Sequence, residues 1–282
     1  MTRCAMSVLP TVPRLPVLWL VAALSLWHGA ALAADRDRLE AFLAVTGFDL
    51  ALDSIALSAA DAPAMIDLAP EDFGLAWPRI TAEVFDTAAM RRSALDILAE
   101  TMDDAMLGHA AAFYASDLGQ RLVEVENAAH MRSDDEARRA EGEALLATME
   151  AGRRAVLERM TDAVDASGQA LLAVQAIQFR FLMAASAAGL TEGALDAELL
   201  RLMLAQGAEE MRAPMRASAL ANAAQTYQDI PTGDLRAYAE ALAHPVMARV
   251  YELMNAVQYE IMADRFEALA LRLAEVPPAQ DL

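Results

Sequence analysis

Three histidines, His109, His130 and His244, are the residues best suited to metal or acid–base chemistry once the first 33 positions are set aside. Their spacing matches no ligand motif such as H-E-x-x-H, in which two imidazoles share one helix face, and none has a sequence-local partner to tune it. Methionine pairs one helical turn apart, Met102/Met106 and Met211/Met215, have the spacing of a thioether copper site. No His-Met cluster accompanies them, and methionine is a common core filler, so they are assigned to packing. The acidic runs Asp103-Asp104 and Asp134-Asp135-Glu136 lack the glycine-centred loop of a calcium site and suit helix N-termini instead. The sequence holds no G-x-S-x-G elbow and no phosphate-cradling glycine loop. The one cysteine, Cys4, precedes an apolar N-terminal run, which excludes disulfides and thiolate sites downstream. No catalytic residue, cofactor or metal site is therefore assigned.

The elements that would position any site are helical. Ala, Leu, Met, Glu, Arg and Gln dominate, and strict alternation of apolar and polar residues is scarce. The stretch Leu107–Asn127 aligns without a gap on Leu235–Asn255, and Ala41–Val45 on Ala170–Val174. In each copy a short helix meets a tight turn and a second helix. Ser116 is expected to cap the helix that opens at Asp117, and His244-Pro245 to do the same job in the second copy. Leu118, Leu122, Val125 and Ala129 form one apolar face, repeated by Val246, Val250, Leu253 and Val257. Arg121, Glu124 and Asn127 recur as Arg249, Glu252 and Asn255, and the Arg–Glu pairs are expected to bridge within each helix.

The string Phe113-Tyr114-Ala115-Ser116-Asp117-Leu118-Gly119-Gln120-Arg121-Leu122 resembles the Phe-Tyr-x-Ser-Pro-x-Gly-x-x-Leu pattern of exported bacterial helical proteins grouped as domain of unknown function 2059. Phe113, Tyr114, Ser116, Gly119 and Leu122 match, whereas Asp117 replaces the usual proline. The second copy keeps Pro245 but has His244 and Met247 in place of the serine and glycine. The resemblance is clearest over 103–129. It implies an exported all-helical protein and no particular activity.

These readings predict an all-α fold of two related helical modules, rich in helix-turn-helix units. Module 1 spans 34–132, an amphipathic connector helix 133–167, module 2 168–275, and a flexible tail 276–282. A capping box is expected at Ser133/Glu136, a long helix from Arg79 to Glu100, and a helix start or kink at Pro214. Gly142 and Gly152 are expected to weaken the connector. Positions 1–33 read as a signal peptide, with Arg3 and Arg14 before the apolar Val17–Ala30 run and Ala31-Leu32-Ala33 before a cleavage site at Ala34. That run is shorter than a bilayer span, so no stable membrane insertion is expected after cleavage. A net charge of −19, with arginine supplying all 22 basic residues, argues against nucleic acid as a partner. The expected function is a noncatalytic periplasmic or secreted interaction or binding module. Alternatives are a carrier of an apolar or lipid-like ligand, in a cavity lined by residues such as Phe42, Phe48, Phe179, Phe181 and Met183, and a hydrolase using acidic residues. If Ser116 is a cap, Ser116→Ala lowers stability by about 1 kcal/mol. Gly119→Val is expected to unsettle the same turn by crowding, and an unchanged melting curve for that variant would show the glycine is not packed there.

Overall fold

The last helix, α12 (Pro245–Leu273), is the axis on which the others are arranged. Met247, Val250, Met254, Val257 and Ile261 are buried at alternating spacings of three and four, a single stripe. Beyond Ile261 the buried set widens to Ala263, Phe266, Leu269, Ala270 and Leu273, so the end of the helix is enclosed on several sides. The computed structural model describes residues 35–165 and 167–276. All regular structure among them is helical, so the fold is all-α. The signal-peptide expectation and nearly all of the tail lie outside the described residues.

Around α12 lie α9 (Gln169–Ala187), which runs along it, together with α3 (Trp77–Val84), α4 (Thr87–Thr101), α5 (Asp104–Tyr114) and α8 (Ala151–Val164). Arg180 of α9 binds α12 through three carboxylates spaced along one face: Glu260 at 3.0 Å, Glu267 at 2.7 Å, and Asp264 between them. All three oxygens converge on one planar guanidinium, so the clamp fixes rotation as well as distance. Helix α10 (Ala197–Thr226) returns beside α9, with Gln175 donating to the Leu204 carbonyl and Arg201 lying 4.3 Å over the Phe179 ring.

The N-terminal part enters through a helix over Asp35–Thr46 (α1) and bends by 77° at Gly47. Gly47 has a φ of 73°, and a side chain there would meet Val123 and the amide of Asn127 on α6 (Asp117–His130). A short α2 (Phe48–Ser54) and a run of 3-10 turns then lead from Ile55 to Ala76. From Leu39 onward both halves contribute to one shared core, which joins Phe42 and Leu122 to Tyr238 and Phe266.

Several sequence expectations are corrected. The connector is two helices, α7 (Asp135–Thr148) and α8, broken at Met149 and Glu150 where the backbone turns extended. A continuous helix of that length would run straight for about 45 Å. The break lets α7 lie on α10 while α8 crosses to α11 (Thr232–Leu242). Ser133 does not cap α7. Asp134 stands at the N-cap, and its carboxylate is taken by Arg132, which also reaches Glu141. The helix expected over 79–100 breaks at Phe85, and Asp86 caps α4 by accepting from the Ala89 amide. Helix α10 starts at Ala197, and Pro214 lies inside it on an exposed position without ending it.

Gly142 also has another role than the one expected. It is buried where α7 crosses α10, and an added Cβ would overlap the backbone carbonyl of Ala221. Glycine here permits close helix contact. Gly142→Ala must push the helices apart and is expected to destabilise by about 1–3 kcal/mol, as overpacking does. Gly207→Ala, in open surroundings within α10, should instead stabilise by up to about 1 kcal/mol through helix propensity. Chemical denaturation of both variants checks the contrast; a neutral Gly142→Ala would mean the crossing is loose.

Candidate binding site

The site is built where the α5–α6 and α11–α12 turns bring their helices together. Helices α5 and α11 each contain 11 residues, and each passes through a two-residue turn into the next helix. Ser116 Oγ accepts from the Gly119 amide at 3.1 Å, and His244 Nδ1 accepts from the Val246 amide at 3.3 Å. A Cβ at Gly119 would overlap the Phe113 carbonyl, so the chain closes this turn against the preceding helix. The imidazoles of His109 and His244 stack with centroids 4.3 Å apart. Of the other motif residues, Leu122 fills the core, Phe113 stacks on the Tyr238 ring, and Pro245 opens α12.

The tight turns deliver tyrosines to one point. Tyr114 ends α5, Tyr238 lies on α11 and Tyr251 on α12, while Tyr227 caps the end of α10. Arg153 of α8 holds the last of these by donating to the carbonyls of Tyr227 (2.6 Å) and Ile230 (2.8 Å). Those carbonyls follow the end of α10, where a guanidinium supplies donors and a favourable charge. Glu126 of α6 reaches into the cluster. Its Oε1 accepts from the hydroxyls of Tyr227 at 2.7 Å and Tyr238 at 2.9 Å. Tyr251 lies 2.7 Å from Tyr238, and Tyr114 bonds both of them. Each phenol carries one hydrogen. Because Tyr238 spends its own on Glu126, the hydrogens of Tyr114 and Tyr251 are shared among the three contacts these phenols make, and the chain of donors ends on the carboxylate.

Burial dominates the electrostatics. It pushes the Glu126 carboxyl up to about 7, outweighing the two tyrosine hydrogen bonds that favour its charged form. Burial first, and then the charge of Glu126 and neighbouring phenols, hold Tyr227 and Tyr238 well above their usual range, so they stay neutral donors. His130 is lowered by burial and by the nearby Arg138.

Two cavities adjoin this carboxylate, and both are lined by Glu126, His130, Val164 and Tyr227. The outer one, about 950 Å³, lies among α6, α8, α9, α10 and α12. Its walls are largely apolar, with Ala129, Met160, Leu171, Met215, Ala219 and Leu242, and Arg138, Arg212 and Arg216 also line it. The amide oxygen of Asn222 is buried there without a donor. The inner cavity, about 200 Å³, is lined by Tyr114, Tyr238, Tyr251, Phe42 and Phe48, and by Asn127 and Asn255.

Three site expectations change. Of the residues named for an apolar cavity, Phe42 and Phe48 line the inner one; Phe181 is core and Phe179 packs under Arg201. The Arg–Glu pairs are not bridged within their helices. Arg121 binds Asp234 at the start of α11 at 2.7 Å, and Glu252 accepts from Gln169 of α9. Met106 is buried and Met102 packs against the core, whereas Met215 lines the outer cavity. Sequence reasoning missed Glu126 and three of its four tyrosines. Tyr227 and Tyr238 lie 101 and 112 residues from Glu126, which leaves no spacing signal; the available hint was that the chain has just five tyrosines.

A carboxyl whose folded value is raised from about 4.5 to about 7 keeps a proton that the unfolded chain releases. Its favourable contribution is complete below pH 4.5 and is lost as pH rises to 7. Glu126→Gln, which keeps an acceptor and cannot ionise, should remove that slope. The wild-type stability relative to the variant is expected to fall by on the order of 3 kcal/mol over this window. Parallel denaturation curves from pH 4.5 to 8 would place Glu126 in contact with bulk water.

No curated protein and no solved structure matches the chain. Residues 88–148, from α4 through α7 and including the turn at Ser116, match the model of the family domain of unknown function 2059, described as an uncharacterized protein conserved in bacteria.

Proposed function

We propose that this chain is an exported, noncatalytic binding protein whose ligand is a small amphiphile held in the outer cavity. The observation that carries the reading is the apolar-walled space of about 950 Å³ closing onto a buried hydrogen-bonding network. Few precisely placed polar groups at the end of an apolar pocket give orientation, and the walls give affinity. The carboxylates along the cavity have separate structural partners. Asp162 pairs with Arg216, Asp165 accepts from the Ala170 amide, and Glu126 is held by phenols. That arrangement favours binding over hydrolysis. The signal-like N-terminus and a net charge of −19 support a soluble exported protein without nucleic-acid partners.

Uptake of the fluorescent apolar amine N-phenyl-1-naphthylamine tests the cavity. The wild-type chain is expected to enhance its emission, and Ala219→Trp, which places a large ring in the cavity, should abolish the enhancement while the melting curve persists. Absence of uptake by the wild type would overturn the reading. Export is checked separately by sequencing the N-terminus of the cellular protein, expected at Ala34.

A further inference from the structure

The inner cavity offers hydrogen-bond acceptors whose natural donors are already engaged. Tyr227 and Tyr238 give their hydrogens to Glu126 Oε1. Tyr114 and Tyr251 are bonded to each other and to Tyr238. Thr46 donates to the Phe42 carbonyl. Both phenol hydrogen bonds to Glu126 fall on Oε1 rather than Oε2. Asn127 Oδ1 is buried without a donor, and Asn255 spends its Nδ2 on the Val164 carbonyl at 2.9 Å, leaving its oxygen as an acceptor. Gln258 and His130 can offer either sense. No arginine lines this cavity, although three line the outer one.

Six aromatic residues complete the lining: Phe42, Phe48, Tyr114, Tyr227, Tyr238 and Tyr251. A carboxylate, amide oxygens and aromatic rings without a resident cation are the surroundings that a quaternary or alkylated ammonium requires, since its diffuse charge is attracted by π faces. The volume of about 200 Å³ is roughly six times the space of a water molecule in the liquid, enough for a small alkylammonium group. Through Glu126, His130, Val164 and Tyr227 the chamber adjoins the apolar outer cavity.

We propose that the inner cavity is the head-group site of a cationic amphiphile: an alkylammonium centre sits among Glu126, Asn127, Asn255 and the aromatic residues, and its apolar tail lies in the outer cavity. The assignment rests on the amphiphile-binding reading above. The pair of asparagines that recurs in the sequence thereby contributes to a single site from both copies.

The cation and the Glu126 proton compete. The phenols of Tyr114, Tyr227, Tyr238 and Tyr251 stay neutral across the physiological range, and His130 is lowered, with Arg138 beside it. Asp162 and Asp165 belong to the outer cavity, Asp162 being paired with Arg216. Glu126 is therefore the group whose ionisation should govern head-group affinity near neutrality.

Isothermal titration of the mature chain with octyltrimethylammonium, octanol and octanoate separates the possibilities. At pH 8 the ammonium compound is expected to bind at least tenfold more tightly than octanol, the margin shrinking at pH 6. Glu126→Gln should lose the preference for the ammonium compound over octanol, at pH 8 as at pH 6. Because that variant could fold poorly, the wild-type comparison at the two pH values stands by itself. Equal affinity for octanol and the ammonium compound, a preference for octanoate, or a pH-independent margin would overturn the cation assignment and leave the cavity reading intact. Failure of all three compounds to bind would overturn both.

Discussion

A carboxyl group placed among phenols, where five helices converge, constrains much of this protein. Glu126 leaves α6 and accepts from Tyr227 and Tyr238, while Tyr114 and Tyr251 extend the network to α5 and α12. A buried polar group without partners carries a large desolvation penalty. The fold meets that penalty with hydroxyls from four other helices, so the positions of those helices are coupled through a few oxygen atoms. Removing one phenol leaves a neighbour short of a donor or acceptor, which is why such networks specify geometry more strongly than their net energy suggests.

Rigid positioning outside the network makes this arrangement reproducible. Arg153 fixes the turn after α10 and with it Tyr227. Arg180 locks α9 to α12 through three carboxylates. Gly142 lets α7 approach α10 at backbone distance, and Gly47 makes room for the Asn127 side chain. None of these residues lies at the centre of the tyrosine cluster. Each removes a degree of freedom that would otherwise let the two cavities collapse or merge with solvent.

The helix-turn-helix units were legible because their signals are local. Ser116 caps as its residue type implies and Pro245 opens α12 as expected, whereas the buried stripe of α12 keeps Val250 and Val257 of the expected face but takes Met247 and Met254 in place of Val246 and Leu253. Where two expectations conflicted, tertiary packing decided. The connector kept a helical pattern through Met149, yet a straight rod could not cover both α10 and α11, so it broke there without glycine or proline. Pro214 carried the opposite signal, and α10 runs through it at an exposed position. Gly142 looked like a weakness of the helix when read alone; its meaning lies in the Ala221 carbonyl opposite.

The amino-acid sequence by itself determined the helical class, the turn chemistry at Ser116 and Pro245, the net charge of −19 and the absence of cysteine after Cys4, since all four depend on residue type or short-range spacing. Tertiary structure alone decided that Glu126 is drawn partly out of water, that Tyr114, Tyr227, Tyr238 and Tyr251 cluster beside it, and that Asn127 and Asn255 line one cavity. A glutamate in so acidic a chain has no distinguishing mark in the sequence. Its altered chemistry comes from desolvation and from partners more than one hundred residues away, and those exist only once the helices have packed.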